Sequence, residues 1–150
     1  MRVDLVPAEL RDAEEIMKNL RDEDARGIEL LQLNGEAALK IEIERATCCY
    51  TGKIDGEVAV IWGVTSATLL SGIGFVWMVT SKAADKAPFI FARRSQREIE
   101  AVLKRTPVLT GTCFAYNRRS LRWLRWLGAE IGMLKHHQGV ACYPFTFRRI

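Results

Sequence analysis

The apolar positions change their period several times along the chain, and each change marks an element. Val3 and Leu5 alternate with polar neighbours, which predicts a first strand. Pro7 then suits the first turn of a helix. Leu10, Ala13, Ile16, Met17 and Leu20 recur at helical spacing from Ala8 to Leu20. Asp22-Glu23-Asp24 predicts a second helix start, because acids are favoured at the positive end of the helix dipole. That helix should run to Leu33, where Asn34-Gly35 stops it, and Glu36 to Arg45 predicts another short helix.

The middle of the chain turns to β patterning. Cys48 to Ile54 and Glu57 to Val64 are apolar and β-branched, and Asp55-Gly56 between them is a strong hairpin signal. Thr65 to Gly74 reads as a loop or a strand end. Phe75 to Thr80 is a continuous apolar run, expected as a strand buried on both faces. Ser81 to Ala87 is polar and small. Pro88 opens a helix to about Arg105, with Phe91, Ser95, Ile99, Val102 and Leu103 inward and Arg93, Arg94, Arg97 and Lys104 outward.

After Thr106-Pro107, Val108 to Tyr116 predicts a strand. Asn117 can cap the next helix through its side-chain oxygen, and Gly128 can end it in the left-handed conformation. Leu121, Leu124, Trp126 and Leu127 form its apolar stripe, with Arg118, Arg119, Arg122 and Arg125 mostly on another face. Ala129 to His137 and Gly139 to Arg148 finish as a hairpin around Gln138-Gly139. The order is strand, two or three helices, three strands, helix, strand, helix, two strands. That order predicts a mixed α/β (α+β) sheet with helices on its faces. The whole chain, 1–150, reads as a single domain, with no repeat, linker or low-complexity tract.

Composition narrows the classes. The chain is 49% hydrophobic and 27% charged, an ordinary globular balance. It has no apolar run of membrane-spanning length and no signal-peptide region at its start, so a cytoplasmic protein is expected. The net charge of +4 hides a gradient: residues 1–57 hold 14 acids against 8 bases, and residues 58–150 hold 4 against 14. The basic half suits an anionic nucleotide, a nucleic acid or an acidic partner, or is a solvated face. Cys48, Cys49, Cys113 and Cys142 include no C-x-x-C pair, so they read as buried thiols in a reducing compartment, and no metal site is expected.

A strand followed by Asn117-x-x-Ser120, a Leu-rich turn and Leu127-Gly128-Ala129 resembles the last helix of the GNAT (GCN5-related N-acetyltransferase) fold. The resemblance in element order covers nearly the whole chain and rests mainly on residues 75–129. It implies a mostly antiparallel central sheet with helices on both faces. It also implies acetyl-CoA as cofactor, with Trp77, Met78 and Val79 nearest the pantetheine arm. The family's pyrophosphate loop is Gln/Arg-x-x-Gly-x-Gly/Ala, and Lys82-Ala-Ala-Asp85-Lys86-Ala87 stands at its place. Asp85 holds the first glycine position, which removes backbone freedom and adds a negative charge. Lys82, Lys86, Arg93 and Arg94 are then the side chains expected to anchor the phosphates, with Asn117 at the next helix.

Active members often carry a Tyr seven residues after the Asn as general acid, and here that position is Leu124. Tyr116 and His136 are the substitutes the sequence offers. A narrower resemblance joins Val79-Thr-Ser81, a basic helix, Asn117-x-x-Ser-x-Arg122-x-Leu124-x-x-Leu-Gly-Ala129 and a hairpin ending Phe145-Thr-Phe147. It is similar to the internal virion protein A family of short-tailed phages and prophages, and covers about the last half of the chain. It implies virion morphogenesis and virion association. Two readings therefore stand: a phage or prophage GNAT-like protein that transfers an acetyl group from acyl-CoA to a small amine, and a non-catalytic GNAT-fold protein that meets a phage or host protein. A homodimer is an expected assembly under either. Nucleic acid ranks last, because the two basic helices need not share a face.

Overall fold

The computed structural model describes residues 1–66, 68 and 70–150, so part of the expected Thr65–Gly74 loop lies outside the described residues. Five α-helices and eight strands form among them. Backbone contacts divide the chain into two compact units. The first comprises Met1–Thr65 and Trp77–Pro88, and the second Ser66–Val76 and Phe89–Ile150.

In the first unit the strands are β1 (Val3–Pro7), β2 (Cys48–Ile54), β3 (Glu57–Ser66, as far as Thr65) and the second half of β4 (Ile73–Thr80). They hydrogen-bond in that order, with β1–β2 and β2–β3 antiparallel. Asp55 and Gly56 both have positive φ, 50° and 80°, so the β2–β3 hairpin is the tight turn that Asp-Gly favours. The helices are α1 (Leu10–Met17), α2 (Asp22–Leu30) and α3 (Gly35–Arg45). Ala13 and Ile16 of α1 and Leu39 of α3 pack with Val58 and Ile61 of β3, and Trp77 and Val79 of β4 lean on that cluster.

Three expectations are corrected in this unit. Pro7 ends β1 instead of opening a helix. It is tolerated because β1 pairs with β2 alone, so its missing N–H falls on an edge strand. The helix begins at Leu10, where the Glu9 N–H donates to Asp12 Oδ2 at 2.9 Å. The second helix ends at Leu30, and Gln32 takes the left-handed turn at φ 54°. Asn34 instead caps α3, its Oδ1 accepting from the Ala37 N–H at 3.1 Å.

The second unit holds the first half of β4, then α4 (Pro88–Leu103, from Phe89), β5 (Val108–Phe114), α5 (Arg118–Trp126), β6 (Glu130–Ile131), β7 (Lys135–His137) and β8 (Val140–Arg148). Here β4 pairs parallel with β5 over Ile73–Phe75 and Val108–Thr110, and β5 pairs antiparallel with β8 along its whole length. The expected strand Ala129–His137 is two short pieces on β8, interrupted by Gly132–Leu134. Ile131 faces Phe145 and Lys135 faces Cys142, so the outer strand spends one residue more than β8 over this stretch. Gln138 and Gly139 have φ 50° and 79°, the same tight turn as Asp55-Gly56.

The core of this unit is Val102, Leu109, Cys113, Leu121, Leu124, Cys142, Phe145 and Phe147. Gly111 is a packing requirement: a Cβ there would strike the Phe145 ring and lie 2.8 Å from the Val76 carbonyl oxygen. Strand β4 is less buried than its apolar run suggests, with only Gly74 and Thr80 inside and Phe75 49% exposed.

Candidate functional site

The end of β4 and the turn after it are built by the first unit. Ser81 begins a 3-10 turn over Lys82–Lys86, and its Oγ accepts from the Ala83 N–H at 3.1 Å while donating to the Val58 carbonyl at 2.7 Å. The Ala84 N–H donates to the Ser81 carbonyl at 3.2 Å and the Ala87 N–H to the Ala84 carbonyl at 3.3 Å. The Lys82 N–H goes to the Asn19 carbonyl at 2.9 Å. Pro88 has no N–H to give. The turn therefore satisfies its own donors, where a phosphate cradle needs several donors pointing outward together.

The charged side chains of the turn are engaged too. Lys82 Nζ lies 3.6 Å from Asp22 Oδ1, and Lys86 Nζ lies 2.9 Å from Glu57 Oε2. Asp85 Oδ1 accepts from Arg21 at 2.8 Å, and the Arg21 side chain is only 12% exposed. Asp24 Oδ2 accepts the Thr80 N–H at 2.6 Å. The hydrogen bond and charge of Lys86 hold the Glu57 carboxyl below its ordinary range. Sequence reading missed Arg21, Asp24 and Asn19 as partners of this turn. It read the acids of α2 as dipole compensation, and only Ser81 before a small-residue run was a local capping signal.

Trp77, Met78 and Val79 lie half-buried on β4 in the same unit as Lys82 and Lys86. The Trp77 ring covers Gly63, where a Cβ would come within 2.6 Å of it. Trp77 Nε1 and Thr65 Oγ1 are buried without a hydrogen-bond partner among the described residues. A ligand polar group or a water is what such atoms normally meet.

The other sequence-derived residues belong to the second unit. Arg93 is exposed and Arg94 half-buried on α4. Asn117 is buried and caps α5, its Oδ1 accepting from the Ser120 N–H at 3.1 Å, so that oxygen is committed to the fold. Tyr116 stacks on Phe114 with ring centroids 5.5 Å apart. His136 is exposed on β7. Leu124, where a general acid would stand in an active member, is buried in the core. Trp126 corrects the expected apolar stripe: it is 57% exposed, and Trp123 instead turns inward to stack on Phe91.

Cys49 is a half-buried thiol whose pKa is pushed up to about 12, chiefly by desolvation, with the neighbouring Cys48 and Asp12 charges adding. That is the environment of an inert thiol and not of a nucleophile. Among the described residues no group of three or more His, Cys, Asp or Glu could hold a metal ion, and no helix is long and apolar enough to cross a membrane.

Comparison with solved structures matches this architecture over the full chain. A GNAT-family acetyltransferase from Bacillus anthracis superposes with a TM-score of 0.72 at 12% identity, covering 99% of this chain and 95% of that one. A Bacillus subtilis acetyltransferase in complex with CoA gives 0.68 at 13% identity, covering 99% of each chain. The ribosomal-protein-S18-alanine N-acetyltransferase of Escherichia coli gives 0.69 at 11% identity, covering 98% and 94%. No protein-family model matches the chain, and no curated protein matches it. The fold is the GNAT fold, with a mostly antiparallel mixed sheet. At these identities the likeness establishes the fold, and function has to come from the site.

Proposed function

We propose that this chain is a non-catalytic GNAT-fold protein of a phage or prophage, acting in virion morphogenesis or in contact with a host protein. The observation that carries the reading is the closed turn after β4. Its amide donors, both its lysines and its one acid are engaged by residues of the same unit. These residues do not fit a pyrophosphate. The burial of Leu124 in the place of a proton donor points the same way. The phage setting rests on the sequence resemblance of residues 79–147. Exposed Phe89, Met133 and Leu134 supply apolar surface for a protein partner or a second copy. Treating 1–150 as one domain is part of the proposal, supported by β4, which serves both units. A cytoplasmic protein that becomes virion-associated follows from the same reading.

Acetyl-CoA titration by calorimetry tests it, with Lys82→Ala and Arg93→Ala as controls. No heat of binding at millimolar ligand is expected. Micromolar binding weakened by both substitutions would overturn the reading.

The second reading is acyl-CoA-dependent transfer of an acetyl group to a small amine. It is favoured by the full-length likeness to acetyltransferases, one of them bound to CoA. The buried polar atoms of Trp77 and Thr65 also await a partner. In that case Trp77, Met78 and Val79 would line the arm, and Tyr116 or His136 would handle the proton. An amine screen with thiol release as readout decides it.

A further inference from the structure

The second unit carries twelve Lys and Arg against three Asp and Glu, a net +9. Sequence alone leaves open whether its two Arg-rich helices are neighbours. The structure answers through one contact: Phe91 of α4 and Trp123 of α5 stack with centroids 5.5 Å apart and planes 23° from parallel. The two helices therefore touch at this pair of rings.

On α5 the inward positions are Leu121 and Leu124. At about 100° per residue, Arg118, Arg122 and Arg125 fall within about 60° of one another, roughly 90° round the helix from the midpoint of the two leucines, and all three are exposed. Their rise along the axis is about 6 Å and then about 4.5 Å. The helix itself contains no acid, and the only acids on α4 are Glu98 and Glu100. Among the described residues none of these three arginines has an ion-pair partner, whereas Arg148 of the same unit pairs with Glu130 at 3.5 Å. Trp126 stands four residues from Arg122, 57% exposed, with its neighbour Arg125 beside it.

A solvated basic face explains the arginines, but it gives no reason to hold a tryptophan ring in water. An acidic protein surface would likewise use the charges without needing an aromatic face. Phosphates spaced along a flexible strand, with unstacked bases between them, use both.

We propose that the outer face of α5, braced by α4, binds single-stranded nucleic acid. Arg118, Arg122 and Arg125 contact successive phosphates, and Trp126 stacks on a base. The short helix presents two or three phosphate contacts, so the contribution is modest and strongly salt-dependent. This goes beyond the reading above and does not depend on whether acyl-CoA binds.

The test is fluorescence anisotropy of the full chain with labelled 20-nucleotide oligothymidine and oligouridine, titrated between 50 and 200 mM salt. We expect binding whose logarithm falls with log salt at a slope of about −2, as three phosphate contacts predict. Arg122→Glu with Arg125→Glu should weaken it tenfold or more, and Arg122→Lys should restore most of the affinity at that position. Trp126→Ala should weaken it at least about fivefold and remove the quenching of intrinsic fluorescence by unlabelled oligonucleotide. All these positions are exposed, and circular dichroism melting verifies that the variants fold. No anisotropy change at 50 mM salt with folded protein overturns the proposal. So does equal affinity for polyglutamate or duplex DNA that ignores Trp126→Ala, which would assign the face to bulk charge alone.

Discussion

The two units solve the same folding problem with different materials. The first is latched by buried and half-buried polar side chains. Asp12 accepts from Thr51 Oγ1 at 2.8 Å, Glu15 from the Val58 N–H at 2.9 Å and Asp24 from the Thr80 N–H at 2.6 Å. The second relies more on rings, Phe91 on Trp123, Phe114 on Tyr116 and Phe145 edge-on to Phe147, where the first has one such pair, Tyr50 with Trp62. The difference decides what charge is left over. In the first unit Lys40, Lys82 and Lys86 are matched by Glu14, Asp22 and Glu57. In the second, apolar packing does more of the holding, and Arg118, Arg122 and Arg125 of α5 are left exposed for something else. A cation is informative about function mainly where the fold has not already used it.

The contrast breaks first at Gly111. Gly111→Ala would drive a methyl against Phe145 and the Val76 carbonyl oxygen. Overpacking of this kind costs about 3 kcal/mol and lowers Tm by roughly 6–12 °C. A Tm within about 2 °C of wild type in thermal denaturation would mean that the ring-packed unit is looser than described.

Asp12→Ala is the matching test of the polar unit. It strands the Thr51 hydroxyl, which is completely buried, and removes the bond to the Glu9 N–H. The loss should be about 2–3 kcal/mol in urea denaturation. Thr51→Val with Asp12→Ala should recover part of it, because neither buried group is then left unpaired. Additive losses would show that the pair is not the latch.

Phe91→Ala should cost about 2 kcal/mol and also reduce oligonucleotide affinity without touching a charge, if α4 braces α5. Retained affinity at reduced stability would restrict the binding face to α5 alone.

Cys49 offers a smaller effect with a clear sign. Its thiol ionises near 12 in the folded protein against an ordinary 9.0. From pH 9 upward the unfolded chain sheds the proton first, so stability falls with rising pH. In the native protein at pH 8, Cys49 should resist alkylation under conditions that label a model thiol, as read by mass spectrometry.

The smallest expected effect concerns Glu14 and Glu57, whose carboxyls are held below their ordinary 4.5 by Lys40 and Lys86. Any stability they supply is present above about pH 4.5 and is lost as acid protonates them in the folded state. Both groups are solvent-exposed pairs, so Glu57→Gln should leave Tm nearly unchanged at neutral pH. A large drop would make the Lys86–Glu57 contact a main support of the turn.

Much of the fold is legible in the sequence where the signal is local. Asp55-Gly56 and Gln138-Gly139 take their tight turns, Asn117 caps α5, and Gly128 ends it at φ 99°. Each depends on one or two residues and their own backbone. What fails is what depends on distant neighbours. Trp126 and Trp123 lie three apart on one helix, and only the position of Phe91 decides which turns inward. Pro7 reads locally as a helix opener, and only the pairing that makes β1 an edge shows it as a strand end. The candidate site suffered most. Lys82, Asp85 and Lys86 read as phosphate ligands or hindrances because Asp22, Arg21 and Glu57, their partners, lie 29 to 64 residues away.

The outer edges of the two units bear on how copies of this chain would associate. β1 ends in Pro7 and carries Arg2 and Asp4 beside its start, and β6 and β7 are short pieces parted by Gly132–Leu134. Neither offers a long run of regularly spaced amides to a foreign strand. Strand-by-strand growth into fibres is discouraged at both borders, so concentrated solutions of the protein should lose clarity by contact of helices and loops before they form cross-β deposits.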